Sequence, residues 1–519
     1  MTQQQSPYFI TTAIPYVNAK PHLGFALECV ITDALARYQR FKGNDTWFLT
    51  GTDENSLKNV QAAAEAGSST QALVEQNAAH FYALKEVLGL SFDDFIRTSS
   101  DKRHMAGALK LWRACLAQGD IYKKLYRGRY CVGCEQFYTD TELDEGLCPE
   151  HHTRPEVVEE ENYFFRLSRY ANQLFKLIVS DQLRIEPQSR KNEVLSFIGA
   201  GLHDFSISRS RRRAQGWGIP VPDDPEQVMY VWFDALSNYI TALGYAENAP
   251  QFQRYWLHNP QRVHVIGKGI TRFHAVYWPA MLLSAGLPLP TTLFIHGYLT
   301  LNGEKISKSL GNTIDPTELV EQYGAEALRY YLLRKIKATE DGDFTLDGFI
   351  QTINTDLADQ LGNLLSRFAG MVSRYRQGVV PGPGSQSALD KELIHEAQGL
   401  AQRVDEAMRC FAPHAALAAI WQLIRAANKY VVEVAPWQLA KRQHEDDAAK
   451  RRLDTTLYNL AETLRLVAYF CRPFLPVTAA NIQRQLGLAN EPNDGAAWGT
   501  TPANTRIQPD GVLFPKYGI

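Results

Sequence analysis

The chain has 519 residues, 45 % of them hydrophobic, enough to bury a large core divided among three or four domains. Its 54 basic and 56 acidic side chains nearly cancel, which excludes a polycation that coats nucleic acid and leaves any RNA contact to local patches. Seven cysteines do not make a disulfide framework at this length, no apolar run reaches the roughly 18 residues of a bilayer span, and the N-terminal stretch lacks signal-peptide features, so a cytoplasmic protein with no membrane contact is expected.

Residues 8–11 read as a short buried strand, 18–21 as a turn, 22–41 as a helix closed by Gly43, and 46–50 as a second strand. This order makes a βαβ unit, whose parallel sheet binds ligands at the carboxyl ends of its strands. Strand-like stretches return at 263–266 and 293–295, after a region of different texture. From 356 onward, Leu357, Leu361, Leu364, Leu365, Phe368 and Val372 form one apolar stripe at helical spacing. The expected fold class is therefore α/β: a Rossmann-type parallel sheet interrupted by an insertion and followed by a C-terminal α-helical bundle. The expected divisions are 1–116 and 229–297 for the two halves of the sheet domain, 117–228 for the insertion, 298–356 for a connecting region and 357–519 for the bundle. Inside the bundle, 377–387 is rich in Gly, Pro and Ser and reads as a loop; the end of the chain reads as irregular.

His22-Leu23-Gly24-Phe25 stands where the first strand hands over to the first helix, so free backbone amides and the positive end of the helix dipole face any ligand there. A histidine at this place can donate to phosphate oxygens, and Gly24 lets a planar ring approach the backbone. Alone, a histidine at a helix start is more often a cap or a solvated residue. Far downstream, Lys305-Ile306-Ser307-Lys308-Ser309 sets two ammonium groups three residues apart between Gly303 and Gly311. Such a loop can close over a triphosphate and neutralise charge building on a leaving pyrophosphate, although a lysine-serine run by itself is more often a solvated loop.

In the insertion, Cys131-x-x-Cys134 and, thirteen residues later, Cys148-x-x-His151 supply three thiolates and an imidazole at knuckle spacing, suited to a structural, tetrahedral Zn2+ with no open position for catalysis; His152 is the alternative fourth ligand. In the bundle, Asn363 and Arg367 are four residues apart and about 150° from the middle of the apolar stripe, so they face outward together, and Trp437 follows a proline turn.

The two phosphate motifs, taken as a pair, resemble the HIGH and KMSKS signatures of class I aminoacyl-tRNA synthetases. The segments AIPYVNAKPHLG, FLTGTDE, YVWFDALSNYITALGY, FHAVYWPAMLLSAGLPLP and HGYLTLNGEKISKSLGN resemble methionyl-tRNA synthetases in order and spacing, across about residues 8–480. The resemblance implies that Asp53 holds the ammonium of L-methionine while Ile14, Tyr16, Trp232, Leu236, Tyr239 and His296 surround the side chain, a sensible setting because a thioether is polarizable and favours aromatic edges. It implies that His22, Gly24, Phe25, Gly267, Lys305 and Lys308 line the ATP side, with Arg209 facing phosphate. His22, Lys305 and Lys308 would be the catalytic groups. It further implies that Asn363, Arg367 and Trp437 read the anticodon of tRNA(Met), with Trp437 stacking on an unpaired base. The cofactors expected are Mg2+ with ATP and the structural zinc, and the expected state is a monomer with no RNA-binding domain beyond the bundle. The insertion is too short for the editing domain of the leucine, isoleucine and valine relatives.

Three departures touch the nucleotide side. Phe25 replaces the histidine that usually ends the first signature, Asn55-Ser56 replaces histidine-glycine after Asp53-Glu54, and Gly269 stands where an aspartate commonly meets the ribose. The expected reaction is attack of the methionine carboxylate on the α-phosphate of Mg-ATP, then transfer to the terminal adenosine of tRNA. Two rivals remain at this point: a small-molecule adenylyl transferase, which needs no anticodon reader, and a non-catalytic paralogue that binds tRNA or protein.

Overall fold

The computed structural model describes residues 5–131, 136–138, 142–149, 152–305, 313–488 and 495–518. One compact unit takes in the chain up to Thr32 and Gly43–Gly297; the other takes in Asp33–Lys42 and the chain from Tyr298 onward.

The first unit is built on a six-stranded sheet in the spatial order Asp94–Arg97, Asp45–Thr52, Pro7–Thr11, Arg262–Gly267, Thr292–His296, Arg184–Glu186. Every pairing is parallel, with Phe9 opposite Trp47 on one side and Arg262 on the other. Strands in such a sheet are covered on both faces and read as continuous apolar runs. Phe9, Ile10, Phe48, Leu49, Val265, Ile266, Leu293 and Phe294 accordingly lie in the core. The chain winds outward in one direction from Pro7–Thr11 and in the other from Arg262–Gly267, so the crevice of a doubly wound sheet falls at the carboxyl ends of these two strands.

The stretch 117–228 does not stand wholly apart from this sheet, as the sequence had suggested. It contains a four-stranded antiparallel sheet, Gln136–Tyr138, Ile121–Cys131, Glu156–Phe165 and Phe205–Ser206, a smaller sheet of Pro220–Val221, Asp224–Met229 and Ser208–Ser210, and the helices Ala171–Val179 and Gln188–Gly199. Arg184–Glu186, however, pairs with Thr292–Phe294 and forms the edge of the parallel sheet. Three residues carry too little alternation to announce a strand, which is why it escaped notice.

In the second unit, Leu299–Leu301 pairs with Glu304–Lys305 and Gly342–Phe344. The other described elements of this unit are helices joined by loops. The striped helix begins earlier than 357: Leu346–Thr352 continues through the wider turns of Ile353–Gly362 into Asn363–Arg376, and all six residues of the stripe are buried. It stops at Gln377, whose φ of 53° cannot extend a helix. Across the loop, Ser387 and Asp390 form a reciprocal capping box that starts Ala388–Gln398. Pro413–Val434 and Asp447–Cys471 pack against the striped helix, and Ala388–Gln398 and Leu400–Arg409 pack on Pro413–Val434. The described residues after Pro476–Gln485 hold no further helix. They are tied down by Glu462, a buried carboxylate that accepts from the amides of Gly499, Thr500 and Thr501. No helix among the described residues is long and apolar enough to cross a membrane.

Candidate active site

The first strand ends at Thr11, and the chain beyond it runs beside the segment following Asp45–Thr52. The Asp53 amide donates to Pro15 O at 2.8 Å and Tyr16 bridges to Asp53. Asp53 is 2 % exposed, so its carboxylate is held out of bulk water beside Tyr16. Trp232 meets Tyr16 edge-on, with centroids 6.5 Å apart, and stacks flat on Phe273 at 3.8 Å. Trp232, Leu236 and Tyr239 follow helical spacing across Val231–Leu236 and Asn238–Thr241, so they present one side of this segment. Ile14 packs half-buried against the same core.

Tyr239 is 1 % exposed, and burial, with the negative charges of Glu28 and Asp53 added, pushes its phenol pKa well up. Its ring lies on His264 at 4.0 Å and its hydroxyl is 2.7 Å from His274 Nε2. His274 Nδ1 lies 3.0 Å from Ile270 O, which only accepts; the proton therefore sits on Nδ1, Nε2 accepts, and Tyr239 donates. Burial holds the His274 pKa down to about 4, so the ring stays neutral near pH 7 and this polarity is fixed. The phenolic oxygen is left with its lone pairs.

His296, at the end of its strand and in register with Gly267, is also enclosed. Its Nε2 is 2.8 Å from Glu28 Oε2 and its Nδ1 is 2.7 Å from Gly297 O, while the other oxygen of Glu28 accepts from the Ala13 amide at 2.7 Å. Glu28 thus ties the end of the first strand to the end of the strand at Thr292–His296. Neither Glu28 nor the pair Phe273 and His274 was singled out from sequence. The signal for Glu28 was available, since it is the lone carboxylate in the apolar run LGFALECVI at the start of the helix.

On the phosphate side, the Gly24 amide donates to His22 Nδ1 at 3.0 Å, so a neutral ring carries its proton on Nε2, free to donate to a ligand. The ring is open to solvent yet deep within surrounding protein, and the lost hydration lowers its pKa, which favours the neutral form. A Cβ at Gly24 would stand 2.9 Å from His22 Cε1, so only glycine lets the imidazole fold back in this way. Glu304–Lys305 forms a short strand, and Lys308 lies outside the described residues. Arg209 is 6 % exposed, its guanidinium over Tyr230 at 4.3 Å and bonded to Ser206 Oγ and Ser208 O.

The departures have local explanations. Phe25 meets Phe81 edge-on at 5.3 Å and packs against a small cluster with Val17, Val74 and Ala78, which accounts for a phenyl ring at this position. Asn55 donates to the buried Asp234 carboxylate at 3.1 Å and to Thr98 O, and Ser56 caps the helix Leu57–Glu65. Gly269 lies exposed in the turn after Gly267.

In the insertion, Cys131 and Cys148 lie buried in one small cluster with Tyr138, whereas Cys134 and His151 fall outside the described residues. No group of three or more metal-ligating side chains occurs among the described residues. In the second unit, Asn363 is exposed, Arg367 half-buried and Trp437 39 % exposed, so Trp437 is no bundle-core residue.

Residues 8–154 and 151–369 match the family model of class I tRNA synthetases (M), and residues 380–517 match the anticodon binding domain of methionyl tRNA ligase. The chain is 45 % identical to methionine–tRNA ligases of Caldanaerobacter subterraneus, covering 99 % of this chain and 79 % of the relative, and of Mycobacterium bovis, covering 98 % of each. It superposes on the Mycobacterium tuberculosis methionyl-tRNA synthetase solved in complex with methionyl-adenylate with a TM-score of 0.93 and 44 % identity, over 98 % of this chain and all of that one. The apo form of that synthetase gives a TM-score of 0.87 at 40 % identity, with both chains covered in full. With both halves matched and the likeness running end to end, the chain belongs to the methionyl-tRNA synthetases, the methionine–tRNA ligases of class I.

Proposed function

We propose that this chain activates L-methionine with Mg-ATP to methionyl-adenylate and pyrophosphate, then esterifies the methionyl group to tRNA(Met) with release of AMP. The observation that carries this reading is the wall of half-buried Tyr16 and Trp232 with buried Tyr239, Phe273 and His274 beside the Asp53 carboxylate. Asp53 receives the ammonium, and the rings meet a thioether that needs polarizable contact. Because Tyr239 spends its proton on His274, it faces the substrate as an acceptor and edge, and a neutral wall suits an uncharged side chain. Ile14, Leu236 and His296 complete the enclosure.

The methionine carboxylate attacks the α-phosphate in line, and no protein nucleophile intervenes. His22 donates through Nε2 to the reacting phosphate, with Gly24, Phe25, Gly267 and Arg209 on the nucleotide side; Lys305 and Lys308 offset the charge gathering on pyrophosphate. Magnesium supplies charge neutralisation on the triphosphate. Cys131, Cys134, Cys148 and His151 hold a structural zinc ion, supported by their spacing and by the shared cluster of Cys131 and Cys148. Asn363, Arg367 and Trp437 read the anticodon, supported by the exposure of Asn363 and Trp437. We place the enzyme in the cytoplasm as a monomer, in keeping with its sparse cysteines.

The test is amino-acid-dependent exchange of pyrophosphate into ATP, run over the standard amino acids, with zinc measured in the same sample. Exchange with methionine and charging of tRNA(Met) are expected. No exchange with any amino acid in a folded sample would favour a non-catalytic paralogue, and exchange without tRNA charging a small-molecule adenylyl transferase.

A further inference from the structure

The segment that carries the Asp53 carboxylate and the segment that carries the aromatic wall are fastened to each other at two points. In front, Asp53 bridges to Tyr16, and Tyr16 meets Trp232 edge-on. Behind, two residues beyond Asp53 and two beyond Trp232, Asn55 Nδ2 donates to Asp234 Oδ2 at 3.1 Å. Asn55 Nδ2 also donates to Thr98 O at 3.3 Å, so a carboxylate and a carbonyl both face the same end of the amide and settle which way it points. The contacts from Asp53 through Tyr16 and Trp232 to Asp234, and back through Asn55, close into a ring.

Trp232 and Leu236 stand four residues apart on the side of their helix that makes the wall, and Asp234, about 200° round from Trp232, points the other way. There its carboxylate is fully buried, with His104 Nε2 at 3.4 Å from Oδ1. His104 is equally enclosed, and its Nδ1 is 3.0 Å from Thr241 Oγ1. A ring with its proton on Nε2 donates to Asp234 and accepts from Thr241, so one imidazole grips the wall segment at two places. The helix Lys102–Ala117 that brings His104 comes this close because Gly107 has no side chain; a Cβ there would run into Thr241 Cγ2. Burial raises the Asp234 pKa, and the donors His104 and Asn55 oppose the rise. With the ammonium of a substrate held at Asp53, the span from Asp53 to the wall decides how long a side chain is received. Asn55 and Asp234 fix that span from behind.

We propose that Asn55 and Asp234 are positioning residues that set the selectivity of the pocket for side-chain length, acting through Asp53 and Trp232. The inference rests on the function proposed above, because it takes methionine as the substrate.

The test is pyrophosphate exchange without tRNA by the parent chain, Asn55→Ala, Asn55→Asp and the double variant Asn55→Asp with Asp234→Asn, which restores the hydrogen bond with donor and acceptor exchanged. Each is measured for the KM of methionine, the KM of ATP, and the ratio of kcat/KM for methionine to that for its S-ethyl homologue, one methylene longer. Both single variants should raise the KM of methionine by about 10- to 100-fold, lower that ratio and leave the KM of ATP unchanged. Asn55→Asp, which sets two carboxylates against each other, should be the worse of the two. The double variant should bring the KM of methionine and the ratio back toward the parent. An unchanged KM and ratio in Asn55→Ala would overturn the proposal, as would a double variant no better than Asn55→Asp. Equal rises in KM for methionine and ATP would also overturn it, since they mark a general structural role. Absence of methionine-dependent exchange by the parent would remove the function proposed above and this inference with it, whereas parental exchange with unmoved variants removes the inference alone.

Discussion

At the scale of single residues, the phosphate turn hangs on one missing side chain. Gly24→Ala would put a Cβ 2.9 Å from His22 Cε1 and force the imidazole to give up the Gly24 amide. Pyrophosphate exchange should fall roughly ten- to a hundredfold with little change in thermal stability, since the ring is free to swing toward solvent. An equal loss of activity and melting temperature would instead mark Gly24 as structural. His274 gives a prediction in pH. Its folded pKa of about 4 lies below the ordinary 6.5, so its neutral form contributes fully above pH 6.5. That contribution is lost as pH falls from there through 4, costing about 3 kcal/mol. Buried His264, held low for the same reason and beside the same tyrosine, steepens the slope. His274→Gln, which keeps an acceptor for Tyr239 but does not titrate, should flatten the pH dependence seen in urea denaturation. At this scale the sequence was partly legible. Tyr16, Asp53, Trp232 and Tyr239 stand in quotable motifs, whereas Glu28 and His274 matter through partners some 270 and 35 positions away. Phe25 looked like a lost imidazole until Phe81 was seen against it.

At the scale of elements, periodicity did well where a segment buries one face. The stripe from Leu357 to Val372 and the loop before Ser387 were readable because a helix core face and a capping residue are local facts. Three-residue strands were not, since their pairing depends on a neighbour and not on their own composition. One buried node fastens the bundle helices. Asp390, whose burial alone would raise its pKa, is held below the carboxylate range by Arg452, Tyr430 and Ser387, and it also accepts from Asn459. Removing the carboxylate leaves Arg452 without its ion-pair partner and takes an acceptor away from Ser387, Tyr430 and Asn459. Asp390→Ala should therefore cost about 3–5 kcal/mol in the unfolding of the bundle, against about 1 kcal/mol for Ser387→Ala, which removes only the cap. Similar losses for the two variants would show that the node is no more than a cap.

For the whole molecule, the division of labour predicts separable defects. Trp437→Ala, in the second unit, should raise the KM for tRNA roughly 5- to 100-fold while methionine-dependent pyrophosphate exchange stays at the parent level. A fall in exchange would mean that Trp437 supports the fold. The central sheet has a further consequence, which belongs to the time in which the protein is made. Pro7–Thr11 finds one neighbour at Asp45–Thr52 as soon as the first βαβ unit is synthesised, but its other neighbour, Arg262–Gly267, is encoded about 250 residues later. At roughly 5–20 residues per second, the ribosome leaves that strand with an open, strongly apolar edge for about 12–50 s. The nascent chain must be shielded through this interval, and a pause or truncation before residue 262 should yield an aggregation-prone half sheet.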